Sequence, residues 1–185
     1  MRPIIEIATP RLVLRGITPA YVHHWVGTRS KAEVMEHFGL LDADFDHYLR
    51  MHQGGMETHR YTFLYFTLVE KGSGRAIGES GYHTWDIRHH RAELFYRLPL
   101  ESDRGKGYVS EALPHIIGHG FGAMDLHRIT AMIGATNEPS LRLVRRLGFK
   151  YEGTHRQDYL VNGKFEDSLC HALLRHEWEG RSEGR

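Results

Sequence analysis

The sequence predicts an α/β sandwich, a single domain over residues 1–185 built on a mixed, mostly antiparallel central sheet flanked by helices. Three observations predict it. Strand-like and helix-like stretches follow one another along most of the chain. A meander of aromatic and β-branched stretches fills the middle. A glycine turn running straight into an amphipathic helix then precedes a second strand and helix of the same kind.

In order, the alternating apolar residues of "RLVLRGI" (11–17) read as a first strand, and Thr18-Pro19 opens a helix through Val22, Trp25 and Val26. Residues 27–60 carry mixed helical signals in "AEVMEHF" and "DFDHYLRMH", with "QGGMETH" as a polar loop. "YTFLYFTLVE" and "AIGESGYHTWDI", separated by "KGSGR", read as an antiparallel hairpin, and "RAELFYRLPL" as a third strand. Val109, Ala112, Leu113, Ile116 and Ile117 recur at helical spacing and make one apolar face. "HRITAMIGAT" is the next strand. In "NEPSLRLVRRLGF" Asn137 can cap a short helix, Pro139 suits its first turn and Gly148 stops it. "GTHRQDYLV" and "KFEDSLCHALL" close the fold as a hairpin turning at Asn162-Gly163, and "EGRSEGR" (179–185) reads as a frayed tail.

Composition narrows the function. Lys plus Arg (24) nearly balances Asp plus Glu (23), so a net charge of +1 supplies no global field for nucleic acid or an anionic membrane, and any anion site is local. No apolar run approaches the length of a membrane span, and Glu6 and Pro10 interrupt the start where a secretory signal would need an apolar core. The cytoplasm is the expected location. Cys170 is the only cysteine, and its neighbours Leu169, Ala172 and Leu173 suggest a packed strand thiol rather than a nucleophile.

The segment "DRGKGYVSEAL" (103–113) has its own logic. A strand that ends in a glycine turn and feeds a helix presents backbone N–H groups with no internal partner at the positive end of the helix dipole, which is a cradle for an anion. Gly105 and Gly107 let the backbone approach a ligand, and Arg104 and Lys106 add charge. A dinucleotide fingerprint would want a third glycine where Ser110 stands, and a P-loop would want Lys-Ser/Thr after its last glycine; neither is present. The bland alternative is a basic turn. About thirty residues on, "NEPSLRLVRRLGF" opens another helix after another strand, and the pair is far more specific than either alone.

At these two segments the chain resembles the GNAT superfamily of N-acetyltransferases. "DRGKGYVSEAL" is similar to its acetyl-CoA pyrophosphate loop and helix, and "NEPSLRLVRRLGF" to its second cofactor segment. "TPRLVLRGIT" and "AELFYRL" resemble the branch of ribosomal-protein N-terminal acetyltransferases, the RimJ/RimL type; the likeness runs from about residue 9 to 175. It implies acetyl transfer from acetyl-CoA directly to an amine. It implies that the N–H groups of Gly105, Lys106, Gly107 and Tyr108 bind pyrophosphate, beside Arg104. The strand carrying Phe95, Tyr96, Arg97 and Leu98 would pair with the pantetheine arm, which Asn137 would also contact, and strands ending near Leu98 and beginning near His127 would splay to admit it.

Many relatives carry a tyrosine acid seven residues after the asparagine; here Val144 stands there, and the named branch instead has a serine, which matches Ser140 as hydrogen-bond donor to the leaving thiolate. Asp158 matches that branch's acidic base, with Glu93 as its rival and a water-mediated base shared between them as a third arrangement. Each has an ordinary alternative: Asn137 as a plain N-cap, Ser140 as a partner of the first helical turn, Asp158 and Glu93 as exposed strand carboxylates. His115 and His119, four apart on the predicted helix, lack the glutamate of a zinc-protease motif, so no metal is expected. Arg142, Arg145 and Arg146 read as a solvated face on which one guanidinium can meet the CoA 3′-phosphate. The acceptor is expected to be a protein N-terminal amine. The alternatives are a small amine, polyamine or antibiotic-like, for which "LLDADFD" (40–46) would offer acidity, or a non-catalytic CoA-binding module. Homodimers are frequent in the branch, which makes a homodimer the expected assembly.

Overall fold

The structure, a computed structural model, describes residues 5–182. Its strands are β1 (Glu6–Ala8), β2 (Leu12–Ile17), β3 (Tyr61–Glu70), β4 (Ala76–Asp86), β5 (Arg91–Arg97), β6 (Arg128–Gly134), β7 (Lys150–Val161) and β8 (Lys164–Leu174). Its helices are α1 (Pro19–Thr28), α2 (Lys31–Phe38), α3 (Asp42–Gly54), α4 (Tyr108–Gly122), α5 (Glu138–Arg146) and α6 (Arg175–Ser182). One sheet runs β1-β2-β3-β4-β5-β6-β8-β7, antiparallel throughout except for the parallel pair β5–β6.

Local chemistry explains most boundaries. Thr18 caps α1 through the Tyr21 N–H. Ser30 and Glu33 form a reciprocal capping box on α2, which stops at Gly39 in the left-handed conformation, φ 68°. The Asn162-Gly163 turn has φ of 50° and 78°, the two positive values a type I′ hairpin requires. The third strand ends at Arg97 rather than running to residue 100, since Pro99 has no N–H to continue the ladder.

Three elements depart from the expectations. The first strand of the sheet is Glu6–Ala8, whose three residues are too few to show a period and which pairs with β2 across the Pro10 turn. Residues 27–60 resolve into the end of α1, then α2 and α3. The tail expected at 179–185 is helical in α6 through Ser182, and 183–185 lie outside the described residues. Tertiary contacts hold that polar helix: Trp178 packs on the core, and Arg181 Nη2 donates to the Arg146 carbonyl at 2.7 Å.

Two apolar clusters flank the sheet. One joins it to α4 and α5, and the predicted face of α4 is there with Ala112, Leu113, Ile116 and Ile117 wholly buried. Each such Leu or Ile contributes about 1.5–3 kcal/mol. The other joins α1–α3 to Ile17 and Phe63. In that second cluster the His37 ring stacks on Trp25 at 3.7 Å between centroids and its Nε2 meets the Tyr21 hydroxyl at 3.0 Å.

Burial, reinforced by Arg15, pushes the His37 imidazole down to about 4. The folded state therefore resists a proton that the unfolded chain accepts from about pH 6.5 downward. His37 thus stabilises the fold above that pH, and the contribution disappears as pH falls toward 4. Screening of its partly exposed ring leaves about 1–2 kcal/mol. The expected result is a melting temperature that falls over this window by about 2–8 °C on this account. A His37→Phe variant, which cannot take the proton, should show a smaller fall; equal falls would remove His37 as the cause.

Candidate active site

Gly105 and Gly107 have φ of 72° and 80°, the left-handed region that favours glycine, and no heavy atom approaches a Cβ built on Gly105 within 4 Å. Gly107 is the N-cap of α4 and offers no side-chain cap, which leaves the first N–H groups of the helix without side-chain acceptors. Lys106 is exposed beside them. Arg104 does not reach outward as the sequence suggests. Its Nε and Nη2 donate to the carbonyls of Leu98 and Pro99 at 3.1 and 3.3 Å and fix the turn.

Arg11 braces the loop from a hundred residues away. It donates to Lys106 O from Nη1 at 2.9 Å, binds Glu111 Oε2 from Nε at 2.6 Å, and lies over the Tyr108 ring at 4.8 Å. Thr9 Oγ1 donates to the same Glu111 at 2.5 Å. Sequence reasoning used "TPR" only as a likeness and missed this clamp. The signal was a threonine and an arginine just before a strand, with a glutamate in the first turn of a distant helix. Arg146 on α5 also reaches this end of α4, donating from Nη2 to Ser110 Oγ at 2.9 Å, while Arg142 pairs with Glu138 on its own helix.

β5 and β6 pair only at Arg91–Arg128, Ala92–Ile129 and Glu93–Thr130. Beyond Glu93 they part, so the edge of β5 from Leu94 to Arg97 has no strand neighbour on the β6 side, although β4 still pairs with its other edge. Alternation sends Leu94, Tyr96 and Leu98 toward the α4 cluster and Glu93, Phe95 and Arg97 the other way. The Tyr96 hydroxyl is buried with no hydrogen-bond partner. Burial pushes this phenol up, and the nearby Ser140 side chain offsets part of the rise. Asn137 caps α5, its Oδ1 accepting from Ser140 N at 3.2 Å. Val144 is fully buried in the core at the position of the tyrosine acid. A cradle with space at its glycines, an unpaired strand edge and an unbonded hydroxyl in one gap fit acetyl-CoA.

On the opposite face Glu93 and Asp158 share a cavity of about 430 Å³ with His155, Tyr159 and Thr130. They are far apart in sequence and come together because β8 places β7 two strands from β6. A register shift between His155 and Tyr159, with Gln157 at φ 53°, bulges β7 at Asp158. Asp158 Oδ2 accepts from the buried Ser168 hydroxyl. Burial first, and then the Asp158 charge, push the Glu93 carboxyl up, with His155 opposing. His83 Nε2 lies 3.6 Å from Glu93, and burial lowers its own proton affinity. A raised carboxyl with a second carboxylate beside it is an arrangement in which the raised one can serve as base.

Cys170 also lines this cavity, half-buried rather than packed away. Burial and the carboxylates nearby push its thiol up, which opposes thiolate formation. His119 meets Phe66 edge-on at 5.5 Å. Among the described residues no group of three or more His, Cys, Asp or Glu is placed to hold a metal, and no helix is long and apolar enough to cross a membrane.

Comparisons with known proteins bear on the family and the fold. YoaA of Bacillus subtilis (strain 168), named an uncharacterized N-acetyltransferase, is 30% identical over 182 residues, covering 95% of this chain and 98% of its own. Among solved structures, the spermidine/spermine N-acetyltransferase SpeG of Vibrio cholerae superposes with a TM-score of 0.69 at 17% identity, over 93% of this chain and 99% of that one. The ribosomal-protein-S5-alanine acetyltransferase of Vibrio fischeri superposes at 0.66 and 20%, over 94% and 98%. These two share the fold. The family model described as an acetyltransferase (GNAT) domain matches residues 11–150, and the chain belongs to the GNAT family of N-acetyltransferases.

Proposed function

We propose that the protein works as a single domain that binds acetyl-CoA between β5 and β6 and acetylates a primary amine held at Glu93 and Asp158, with a peptide or protein N-terminus as the acceptor. The observation that carries this is the parting of β5 from β6 beyond Glu93, with the glycine cradle serving one side of the gap and the carboxylate cavity the other. Against a polyamine stands the fate of two of the three aspartates of "LLDADFD": Asp42 pairs with Lys31 at 2.6 Å and Asp44 with Arg97, which, among the described residues, leaves Asp46 as the segment's carboxylate outside a salt bridge.

The N–H groups of Gly105, Lys106, Gly107 and Tyr108 hold the pyrophosphate, the open edge from Phe95 to Leu98 receives the pantetheine arm, and the Asn137 amide, with its oxygen already used as a cap, turns N–H toward that arm. When bound, acetyl-CoA supplies a thioester carbonyl whose C–S bond breaks as the new C–N bond forms. A backbone N–H on the open edge of β5 steadies the carbonyl oxygen. Glu93, raised by burial and by the Asp158 charge, takes the proton of the acceptor ammonium, and Asp158, fixed by the Ser168 hydroxyl, holds that ammonium beforehand. The hydroxyls of Ser140 and Tyr96 donate to the departing sulfur. The reading includes cytoplasmic activity and a homodimer, supported by the exposed apolar tip of the last hairpin, where Leu160 and Phe165 are 64% and 65% exposed.

Two measurements test it. CoA release with acetyl-CoA and a panel of peptides and polyamines should show turnover of peptide N-termini; turnover confined to polyamines would refute the acceptor assignment. Ser140→Ala and Tyr96→Phe should each lower kcat by about 10-fold or more, the worth of one hydrogen bond to a charged group, with the KM for acetyl-CoA little changed. Unchanged kcat in both would remove them from the sulfur.

A further inference from the structure

Arg91 lines the same cavity as Glu93 and Asp158. It stands two residues before Glu93 on β5, so both side chains project from one face of the strand about 7 Å apart. Its arginine neighbours are all engaged. Arg60 Nε donates to Asp86 Oδ2 at 2.8 Å. Arg97 binds Asp44 and Glu79. Arg128, opposite Arg91 in the register, holds Glu152 through two N–H groups.

Arg91 has no such partner. The nearest recorded carboxylate is Asp86 at 3.9 Å, beyond hydrogen-bonding distance, and that wholly buried group already accepts from Arg60 and from the His89 N–H at 3.2 Å. Half of the Arg91 side chain is exposed, and its guanidinium, hydrogen-bonded to no carboxylate among the described residues, keeps donors free at the edge of the cavity that Arg91 lines. A second ammonium a few bonds from the reacting nitrogen would be repelled there. A carboxylate would meet a planar fork suited to bind it through two bonds.

Resting on the acetyltransferase reading above, we infer that Arg91 is the anion anchor of the acceptor site. The cavity takes an amine that carries a carboxylate a few bonds from its nitrogen, either a free amino acid or a peptide N-terminus with an acidic side chain in its first two residues. The ammonium end lies between Glu93 and Asp158 and the carboxylate end on Arg91.

The test uses the full chain, acetyl-CoA and matched acceptors: free aspartate, peptides with Asp or Glu at the first or second position, the same peptides with Ala or Lys, and spermidine. Acidic acceptors should exceed their lysine counterparts and spermidine in kcat/KM by about 10-fold or more, and the free-amino-acid and peptide arms separate the two sources. Arg91→Ala should raise the KM for acidic acceptors by about 10–100-fold, the loss of a charge-assisted bond, and leave the KM for acetyl-CoA unchanged. Arg91→Glu should invert the order of acceptors. The melting curve of Arg91→Ala should stay close to the wild type, since it gives up only a half-exposed 3.9 Å ion pair with an Asp86 that Arg60 already holds, whereas Arg91→Glu, which sets a second carboxylate near Asp86, should melt lower. Preference for spermidine or lysine peptides, an unchanged KM in Arg91→Ala, or no turnover of any acidic acceptor overturns the anchor. Calorimetry with acetyl-CoA alone separates the two levels: no binding brings down the acetyltransferase site itself, whereas binding without acidic preference brings down only Arg91.

Discussion

A Gly107→Trp variant should bind acetyl-CoA about 100-fold or more weakly than the wild type in calorimetry while remaining folded. Gly107 sits at φ 80° at the head of α4, where a side chain would strain the backbone and, with its Cβ 3.5 Å from Arg11 Nη2, press on the clamp that shapes the cradle. The strain costs about 1–2 kcal/mol, which in a chain of this size lowers the melting temperature by roughly 2–8 °C. Two lost charge-assisted hydrogen bonds suffice for the binding defect. Gly74 provides the control, since it has φ 70° in the turn between β3 and β4 with open space around it. Gly74→Trp carries the same strain and should bind acetyl-CoA normally. Equal binding by wild type and Gly107→Trp would return "DRGKGYVSEAL" to a basic turn before a helix.

The second large effect is expected at the carboxylates. Glu93→Gln should lower kcat by about 10²–10⁴-fold at neutral pH, the range of a lost general base. Because burial and Asp158 raise Glu93, the wild-type rate should fall as pH drops through this raised value. Asp158→Asn removes the negative charge that helps raise it while keeping an oxygen to accept from Ser168. The acid limb of the pH–rate profile should therefore move to lower pH in this variant, along with a weaker acceptor KM. A limb that stays put, or full activity in Glu93→Gln, would assign the proton to another group.

The two segments proposed to hold the cofactor are legible in the sequence as turn-and-helix units because their signals are local. A glycine turn before a periodic apolar face, and an asparagine-proline start with a glycine stop, are properties of a dozen consecutive residues, and the observed α4 and α5 carry those caps. Glu93 and Asp158 stand in the sequence as rival bases or as partners sharing a water, with nothing local to choose between these for two residues so far apart. The sheet order and the bulge of β7 make them neighbours, and in that place burial first and the Asp158 charge second raise the Glu93 carboxyl. The same limit hid Arg11, whose contacts with Lys106 and Glu111 exist only after β2 lies beside α4, and it hid the spare donors of Arg91, which depend on which arginines found partners.

The sequence by itself therefore determined the α/β sandwich, the order of its elements from residue 61 to 174, the Asn162-Gly163 turn and the likeness to the family, because backbone preference and side-chain period are written in neighbouring residues. Only the tertiary structure decided the short first strand, the last helix, the gap beyond Glu93 and the charge pattern of the acceptor cavity. Those depend on burial and on Coulomb terms between groups brought together by folding, quantities that no short stretch of chain contains.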